Sequence, residues 1–128
     1  MSERLALEHI VRDLHRARLA GNLGDMCRLF AERGHFEIAG ASADKPIAIR
    51  ADSIESFRPW LAMMTKVFRL SRYELTSLIV EPPRLAAHWR VDILSKVTGT
   101  TVPTELVDLI EVDAQRIVSY REFFVPRS

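Results

Sequence analysis

Near Phe68 the hydrophobic pattern of the chain changes period. Upstream, apolar residues recur every three to four positions; downstream, they alternate with polar ones. The first spacing draws apolar side chains into one stripe of a helix, the second onto one face of a strand. Helices followed by strands fold as α+β, with the helices packed on one face of an antiparallel sheet. The 128 residues match the length of one domain, and 1–128 is expected to be a single one.

Leu7, Ile10, Val11, Leu14 and Ala17 mark a first helix over about residues 3–20, begun at Ser2-Glu3-Arg4 and ended by Gly21, Asn22 and Gly24. Asp25 is read as starting a short second helix with Met26, Leu29 and Phe30, closed by Gly34. Residues 35–39 form a short strand with Phe36 and Ile38 on one side. Residues 40–52 hold Gly40, Ser42, Asp44 and Pro46 in close order and read as a loop, either covering a pocket mouth or simply connecting its neighbours. Ser53 is an N-cap, and Ile54, Phe57, Leu61 and Met64 form one face of a third helix. Pro59 lies near that helix's start, where its missing N–H costs little.

Beyond Phe68, Tyr73, Leu75, Ser77 and Ile79 share one face of a strand that Pro82-Pro83 stops. Strands over about 85–97, 101–112 and 116–125 follow, joined by a tight turn at Thr98-Gly99 and another at Ala114-Gln115-Arg116. Trp89, Val91 and Ile93 alternate with His88, Arg90, Asp92 and Leu94, so the apolar set faces the helices. A turn pairing Val97 with Val102 sets Val91 opposite Asp108, Ile93 opposite Leu106 and Trp89 opposite Ile110. Pairing Asp113 with Ile117 sets Ile110 opposite Tyr120, Leu106 opposite Phe124 and Asp108 opposite Glu122. Two carboxyls and a phenol then stand on an apolar inner surface. A slip of one residue in the last hairpin puts Asp108 opposite Arg121 instead, as an ordinary cross-strand ion pair.

Several function classes are set aside by composition. Net charge is +1, from 18 Lys plus Arg against 17 Asp plus Glu, and the basic residues are interleaved with acids. Nucleic acid, which needs a concentrated basic surface, is not an expected partner. Apolar runs such as residues 77–80 fall far short of the ~20 residues of a membrane span, so no membrane association is expected. Residues 1–8 hold two acids and no signal-peptide core. Cys27 is the single cysteine and reads as a small buried hydrophobe, so no internal disulfide forms and a reducing cytoplasm is the expected location. His9, His15, His35 and His88 include no i,i+4 pair and no Cys-His cluster, so neither a metal nor another cofactor is expected.

Leu29-Phe30-Ala31-Glu32, within residues 23–38, resembles the second helix and first strand of nuclear-transport-factor-2-like proteins. Ala87-His88-Trp89-Arg90-Val91, Thr98-Gly99, Glu105-Leu106-Val107-Asp108-Leu109, Arg116-Ile117-Val118 and Glu122-Phe123-Phe124 look like that superfamily's closing strands. The resemblance spans nearly the whole chain in element order. It implies a cone: a curved antiparallel sheet wrapped around about three N-terminal helices, enclosing an apolar pocket. The superfamily includes ketosteroid isomerases, SnoaL-like polyketide cyclases, dehydratases, hydrolases and non-enzymatic binding or dimerisation domains, so fold alone does not give activity. The isomerases' general base corresponds to Ile38, preceded by Glu37, and is missing here. Their oxyanion aspartate corresponds to Asp108. Their oxyanion tyrosine is nearest Leu14, with His15 beside it. Where many related members end in Phe-Asp, Phe124 is followed by Val125-Pro126.

The resulting expectation is a pocket for a small hydrophobic molecule, with acid/base proton transfer on a hydrophobic carbonyl compound as the leading chemistry. Asp108 is the acid or oxyanion donor, Glu122 the base and Tyr120 a hydrogen-bonding partner. Leu14, His15, Phe57, Leu61, Trp89, Val91, Leu106 and Phe124 are the expected ligand contacts. The alternatives are a non-catalytic ligand-binding protein and a dimeric interaction domain, the latter supported if Phe57, Trp60 and Trp89 fill the interior. Arg90, Asp92, Glu105, Val107, Leu109, Arg121 and Phe123 share the opposite face, which suits a homodimer interface through the outer side of the sheet.

Overall fold

The computed structural model describes residues 2–42 and 45–127, with side chains at all of these except 41, 42 and 45. Its elements run α1 (Glu3–Ala20), α2 (Leu23–Arg28), β1 (Phe30–Ser42), β2 (Lys45–Ser53), α3 (Ile54–Val67), β3 (Phe68–Glu81), β4 (Arg84–Ser95), β5 (Thr101–Asp113) and β6 (Arg116–Pro126). This is α+β, as the change of period at Phe68 requires. The first helix begins and ends where its capping chemistry says. Ser2 accepts a hydrogen bond from the Leu5 amide, and Gly21 takes the left-handed conformation, its N–H returning to Ala17 and Arg18 carbonyls. Ser53 caps α3 by accepting from the Ser56 amide.

The six strands form one curved, unclosed sheet in the order β2-β1-β6-β5-β4-β3. Four pairings are antiparallel, and β1 runs parallel to β6, making the sheet mixed. α1 packs on β3 and β4, and α3 on β1 and β2, so the helices fill the concave side. The inner face reads directly from burial: Leu85, Ala87, Trp89 and Val91 on β4, Leu106, Asp108 and Ile110 on β5, Ile117, Tyr120 and Glu122 on β6. A larger apolar core gathers Leu14, Phe30, Phe36, Phe57 and Leu61; a smaller one gathers Trp89, Val91 and Leu106, and Phe124 packs against both.

Several sequence expectations are corrected. The second helix starts earlier than Asp25, because the Asn22 side chain accepts from the Asp25 amide and caps it. It also ends at Arg28, and Gly34 lies inside β1, where a Cβ would meet the Val118 carbonyl oxygen at 2.2 Å. Gly34 therefore serves close strand approach and is no helix terminator. Residues 40–52 are no loop: β1 and β2 form a hairpin, with Ile38 opposite Ile49 and Gly40 opposite Ile47, while Ala43 and Asp44 lie outside the described residues. The alternation of Ile47 and Ile49 with Ala48 and Arg50 is the strand signal that Pro46 and the small polar residues masked.

β3 breaks its own parity. Bulges fall between Ser71 and Glu74 and between Leu75 and Ser77, so Tyr73, Leu75, Leu78 and Val80 turn toward the core while Ile79 is exposed. The β4–β5 turn is also longer than the tight one expected. Val102 pairs with Ile93 instead of Val97, which sets Trp89 opposite Leu106, Val91 opposite Thr104 and Ala87 opposite Asp108. The displacement is even, so each side chain keeps its face. In β5–β6, Ile110 stands opposite Tyr120, Leu106 opposite Phe124 and Asp108 opposite Glu122, as expected, and Arg121 pairs with Leu109. Only the turn differs: Asp113 pairs with Arg116, and a bulge between Glu111 and Val112 restores the register.

Candidate functional site

α1 delivers two polar side chains to the interior. Leu7, Val11 and Leu14 lie along one stripe, and Arg18 is the next position on it. His15 stands one turn before Arg18 and is 1% exposed. Facing them across the cone are Asp108 of β5, fully buried, and Glu122 of β6, 2% exposed.

The hydrogen bonds divide into two connected sets. Asp108 Oδ2 accepts from Trp89 Nε1 at 3.0 Å and lies 2.9 Å from His15 Nε2, whose Nδ1 is 2.7 Å from the Tyr73 hydroxyl. Glu122 Oε2 accepts from both Arg18 Nη1 and the Tyr120 hydroxyl, and Arg18 Nη1 also donates to the Tyr120 oxygen at 3.2 Å. The Arg18 guanidinium lies 5.1 Å from the centroid of the Trp89 ring, so Trp89 touches both sets. Among the described residues Asp108 Oδ1 is the one buried side-chain polar atom with no hydrogen-bond partner while both carboxyls are ionised; a proton on Glu122 bonds the pair directly. A buried orphan oxygen beside a second carboxyl attracts a proton or a ligand donor.

Burial dominates the proton affinities. It pushes Glu122 up to about 7; Arg18 opposes this and the Asp108 charge adds to it. Burial also raises Asp108, against the hydrogen bond from Glu122, the Arg18 charge and the Trp89 N–H. The carboxyl pair therefore holds a proton more tightly than carboxyls in water, and its titration belongs to the pair. Burial lowers His15 to about 3, with the Arg18 charge acting in the same direction. His15 is thus a neutral imidazole near neutral pH. Burial raises Tyr120 far above the usual phenol range, with Asp108 and Glu122 adding to it, so it remains a donor. Burial lowers the proton affinity of Arg18, but Glu122, Tyr120 and Asp108 outweigh it and the guanidinium stays charged.

Of the residues singled out from sequence, Asp108, Glu122, Tyr120, His15 and Trp89 come together. Val91, Leu106 and Phe124 form the apolar wall beside them. Phe57 and Leu61 belong to the larger core, the Phe57 ring 6.3 Å from that of Tyr120. Leu14 is buried there too. Trp60 is 44% exposed and takes no part in filling the interior. Sequence reasoning missed Arg18 and Tyr73. A charge on the apolar stripe of α1 was the available signal for Arg18; the bulged parity of β3 left none for Tyr73.

Two open concavities lie elsewhere. One, of about 380 Å³, is lined by Gly24, Cys27, Arg28, Ile54, Glu55 and Arg58. The other, of about 490 Å³, lies on the outer sheet face around Ile79, Leu109 and Arg121. The polar cluster instead sits beneath a rim of half-buried Leu19, Leu70, Tyr73, Ile93 and Phe124. Among the described residues no group of His, Cys, Asp and Glu is arranged to hold a metal ion, and no helix is long and apolar enough to cross a membrane.

The model of the SnoaL-like domain matches residues 11–120, which include His15, Arg18, Trp89, Asp108 and Tyr120. Among solved structures, the chain is similar to a proposed isomerase from Bacillus subtilis, with 20% identity over 98% of this chain and 90% of that one at a TM-score of 0.85. It is similar to an LEH-like epoxide hydrolase of M. tuberculosis, with 14% identity over 97% and 86% at 0.78. An NTF2-like protein of Burkholderia xenovorans shares 20% identity over 95% and 91% at 0.77. At these identities the likenesses establish a shared fold and no activity. No curated protein matches in sequence. The chain belongs to the SnoaL-like domain family, within the nuclear-transport-factor-2-like superfamily.

Proposed function

We propose that this protein binds a small hydrophobic carbonyl compound inside the cone and catalyses acid/base proton transfer on it. The observation that carries this is the Asp108–Glu122 pair: two buried carboxyls opposite each other, sharing a proton that burial holds to about pH 7. Perturbed carboxyls of this kind are the usual machinery of proton abstraction at neutral pH. The ionised member of the pair accepts the proton from the carbon next to the carbonyl. The electron pair of that C–H bond moves toward the carbonyl oxygen, which the protonated member stabilises by donating a hydrogen bond. Return of the proton from the first carboxyl to another carbon completes an isomerisation. Tyr120 and Arg18 hold the Glu122 carboxyl in place, and the Arg18 charge offsets that of the intermediate. Trp89, Val91, Leu106 and Phe124 are the apolar walls, and the compound enters by displacing the rim.

The test begins with native mass spectrometry of protein purified from its own host, to identify a bound compound. Deuterium uptake from heavy water at that compound's carbonyl-adjacent carbon is then followed by NMR. Catalysed uptake that falls as pH rises through about 7, where the pair loses its last proton, and that is lost in Glu122→Gln, is the expected result. Binding without uptake would replace the reading with a non-catalytic ligand-binding protein.

A second reading concerns the outer face, where Val107, Leu109 and Phe123 are all partly exposed together. Their apolar area favours a homodimer through that face. Light scattering at tens of micromolar, roughly where modest dimer affinities are saturated, is the check; a monomer there removes the dimer.

A further inference from the structure

We infer that Tyr73, His15 and Asp108 form a proton wire that joins the rim of the cone to its buried carboxyl pair, in which His15 exchanges tautomers. The inference deepens the proposed function and rests on its reading of the pair as the acid/base site.

The geometry is continuous. The Tyr73 hydroxyl is 2.7 Å from His15 Nδ1, and His15 Nε2 is 2.9 Å from Asp108 Oδ2. One end is half-buried at the rim and the other fully buried. Two aromatic rings fix the orientation of the imidazole. The Trp89 ring lies 4.4 Å away, tilted by 36°, and the Tyr73 ring meets it edge-on at 5.4 Å. The backbone that presents Tyr73 is irregular. Tyr73 lies in the first bulge of β3, and Arg72 before it has φ of 54°, the left-handed region that a non-glycine residue adopts at a cost.

The charges around His15 allow only one mode of action. Arg12 and Arg18 from α1 face it, as do Asp108 from β5 and Glu122 from β6, with Tyr73 from β3 bonded to it. Buried beside two arginines, the ring does not hold a second proton. It has one N–H and one lone pair, and which nitrogen carries the hydrogen follows from its partners. Trp89 is only a donor and already points at Asp108 Oδ2, so the resting Asp108 is an acceptor there. In that state His15 Nε2–H donates to Asp108 and Tyr73 O–H donates to Nδ1. When a proton from water joins the Tyr73 oxygen, the phenolic hydrogen passes to Nδ1 and the Nε2 hydrogen passes to Asp108 Oδ2. Within the protein one O–H and one N–H bond break, two O–H bonds and one N–H bond form, and the only net change is a proton moved from solvent to Asp108. Tyr73 and His15 end neutral. The reverse sequence empties the pair, so the wire resets its proton content between turnovers without opening the cone.

Nitrogen-15 NMR of protein labelled in its histidine rings tests this with no ligand present. The resting ring should be on Nε2–H, and its N–H should exchange with water through the wire. Tyr73→Phe removes the entry group, and that exchange should slow at least roughly tenfold while the Trp89 indole N–H signal keeps its place. A His15 ring found on Nδ1–H, an imidazolium at neutral pH, or exchange unchanged in Tyr73→Phe overturns the wire and leaves the acid/base site standing. Carboxyl carbons that fail to titrate near neutrality would strike the acid/base site itself.

Discussion

The two faces of the sheet treat the same functional group in opposite ways. On the outer face Glu37 is bonded by Arg121 at 3.0 Å and Arg50 at 2.8 Å, and these hold its carboxyl below the usual range, with the Arg121 bond the largest cause. Glu105 is likewise held low, first by its bond from His88 and then by Arg90. On the inner face Glu122, one residue along β6 from Arg121, also has an arginine and a hydroxyl donor, yet it is driven up to about 7. The number of partners does not explain the difference. Glu37 is covered by arginine side chains that are themselves in water, whereas Glu122 is covered by the core. Desolvation penalises the ionised form of Glu122 by more than one guanidinium returns, and the nearby Asp108 adds to the penalty.

The sharpest way to break this contrast is to remove one arginine from each face. Arg18→Met should cost about 3–5 kcal/mol of unfolding free energy at pH 8, where the buried carboxyl would be left without its counter-charge. Arg50→Met should cost no more than about 1 kcal/mol, because its pair is wet. Equal losses in urea titrations of the two variants would show that burial is not what separates the faces.

A second test uses pH. Glu122 binds its proton more tightly folded, at about 7, than unfolded, near 4.5. Its stabilising contribution is therefore complete below about 4.5 and is lost as pH rises toward 7, on the order of 3 kcal/mol in all. Glu122→Gln should flatten that limb. His15 has the opposite sign: the unfolded chain binds a proton below about 6.5 that the folded chain refuses until about 3, so acidification through this range destabilises the fold. His15→Gln should therefore make the protein more acid-tolerant, read as a higher midpoint at pH 4 relative to wild type. If neither limb moves, the interior groups do not control the pH profile.

Smaller effects follow. Asp108→Asn keeps an acceptor for the Trp89 N–H, so the fold should survive with a loss of about 1–3 kcal/mol while turnover or ligand affinity falls at least about tenfold. Unfolding with no effect on ligand would instead make Asp108 a purely structural partner. Leu109→Lys, on the outer face, should change monomer stability by no more than about 0.5 kcal/mol. Light scattering would then report whether it shifts any dimer toward monomer.

How much of this is legible in sequence depends on whether the signal is local. The helix starts are written in Ser2 and Ser53, and the pairing of Asp108 with Glu122 follows from bringing apolar residues onto one face, which forces the register even though the turn itself is bulged. The Thr98-Gly99 turn misleads the β4–β5 register, but by an even number of residues, so Trp89 and Val91 still face inward. Arg18 escapes a sequence reading because a charge on a helix is normally solvated, although it continues the stripe of Leu7, Val11 and Leu14. Tyr73 depends on a bulge, and the parallel contact of β1 with β6 on a pairing as distant as Phe30 with Ile117; neither leaves a nearby pattern to read.

That distance also bears on how the molecule is made. The β3–β6 hairpins join residues close in sequence, whereas His15 meets Asp108 across 93 positions and Arg18 meets Glu122 across 104. Contacts that close such long loops form late. A chain whose C-terminal meander has formed while α1 is still undocked carries its two inner carboxyls in water, beside the bare apolar surface of Trp89 and Leu106. Docking of α1 covers that surface and supplies the guanidinium in the same event. The groups of the proposed site are thus also the latch that closes the fold, and an intermediate stalled before docking offers that apolar surface to other chains.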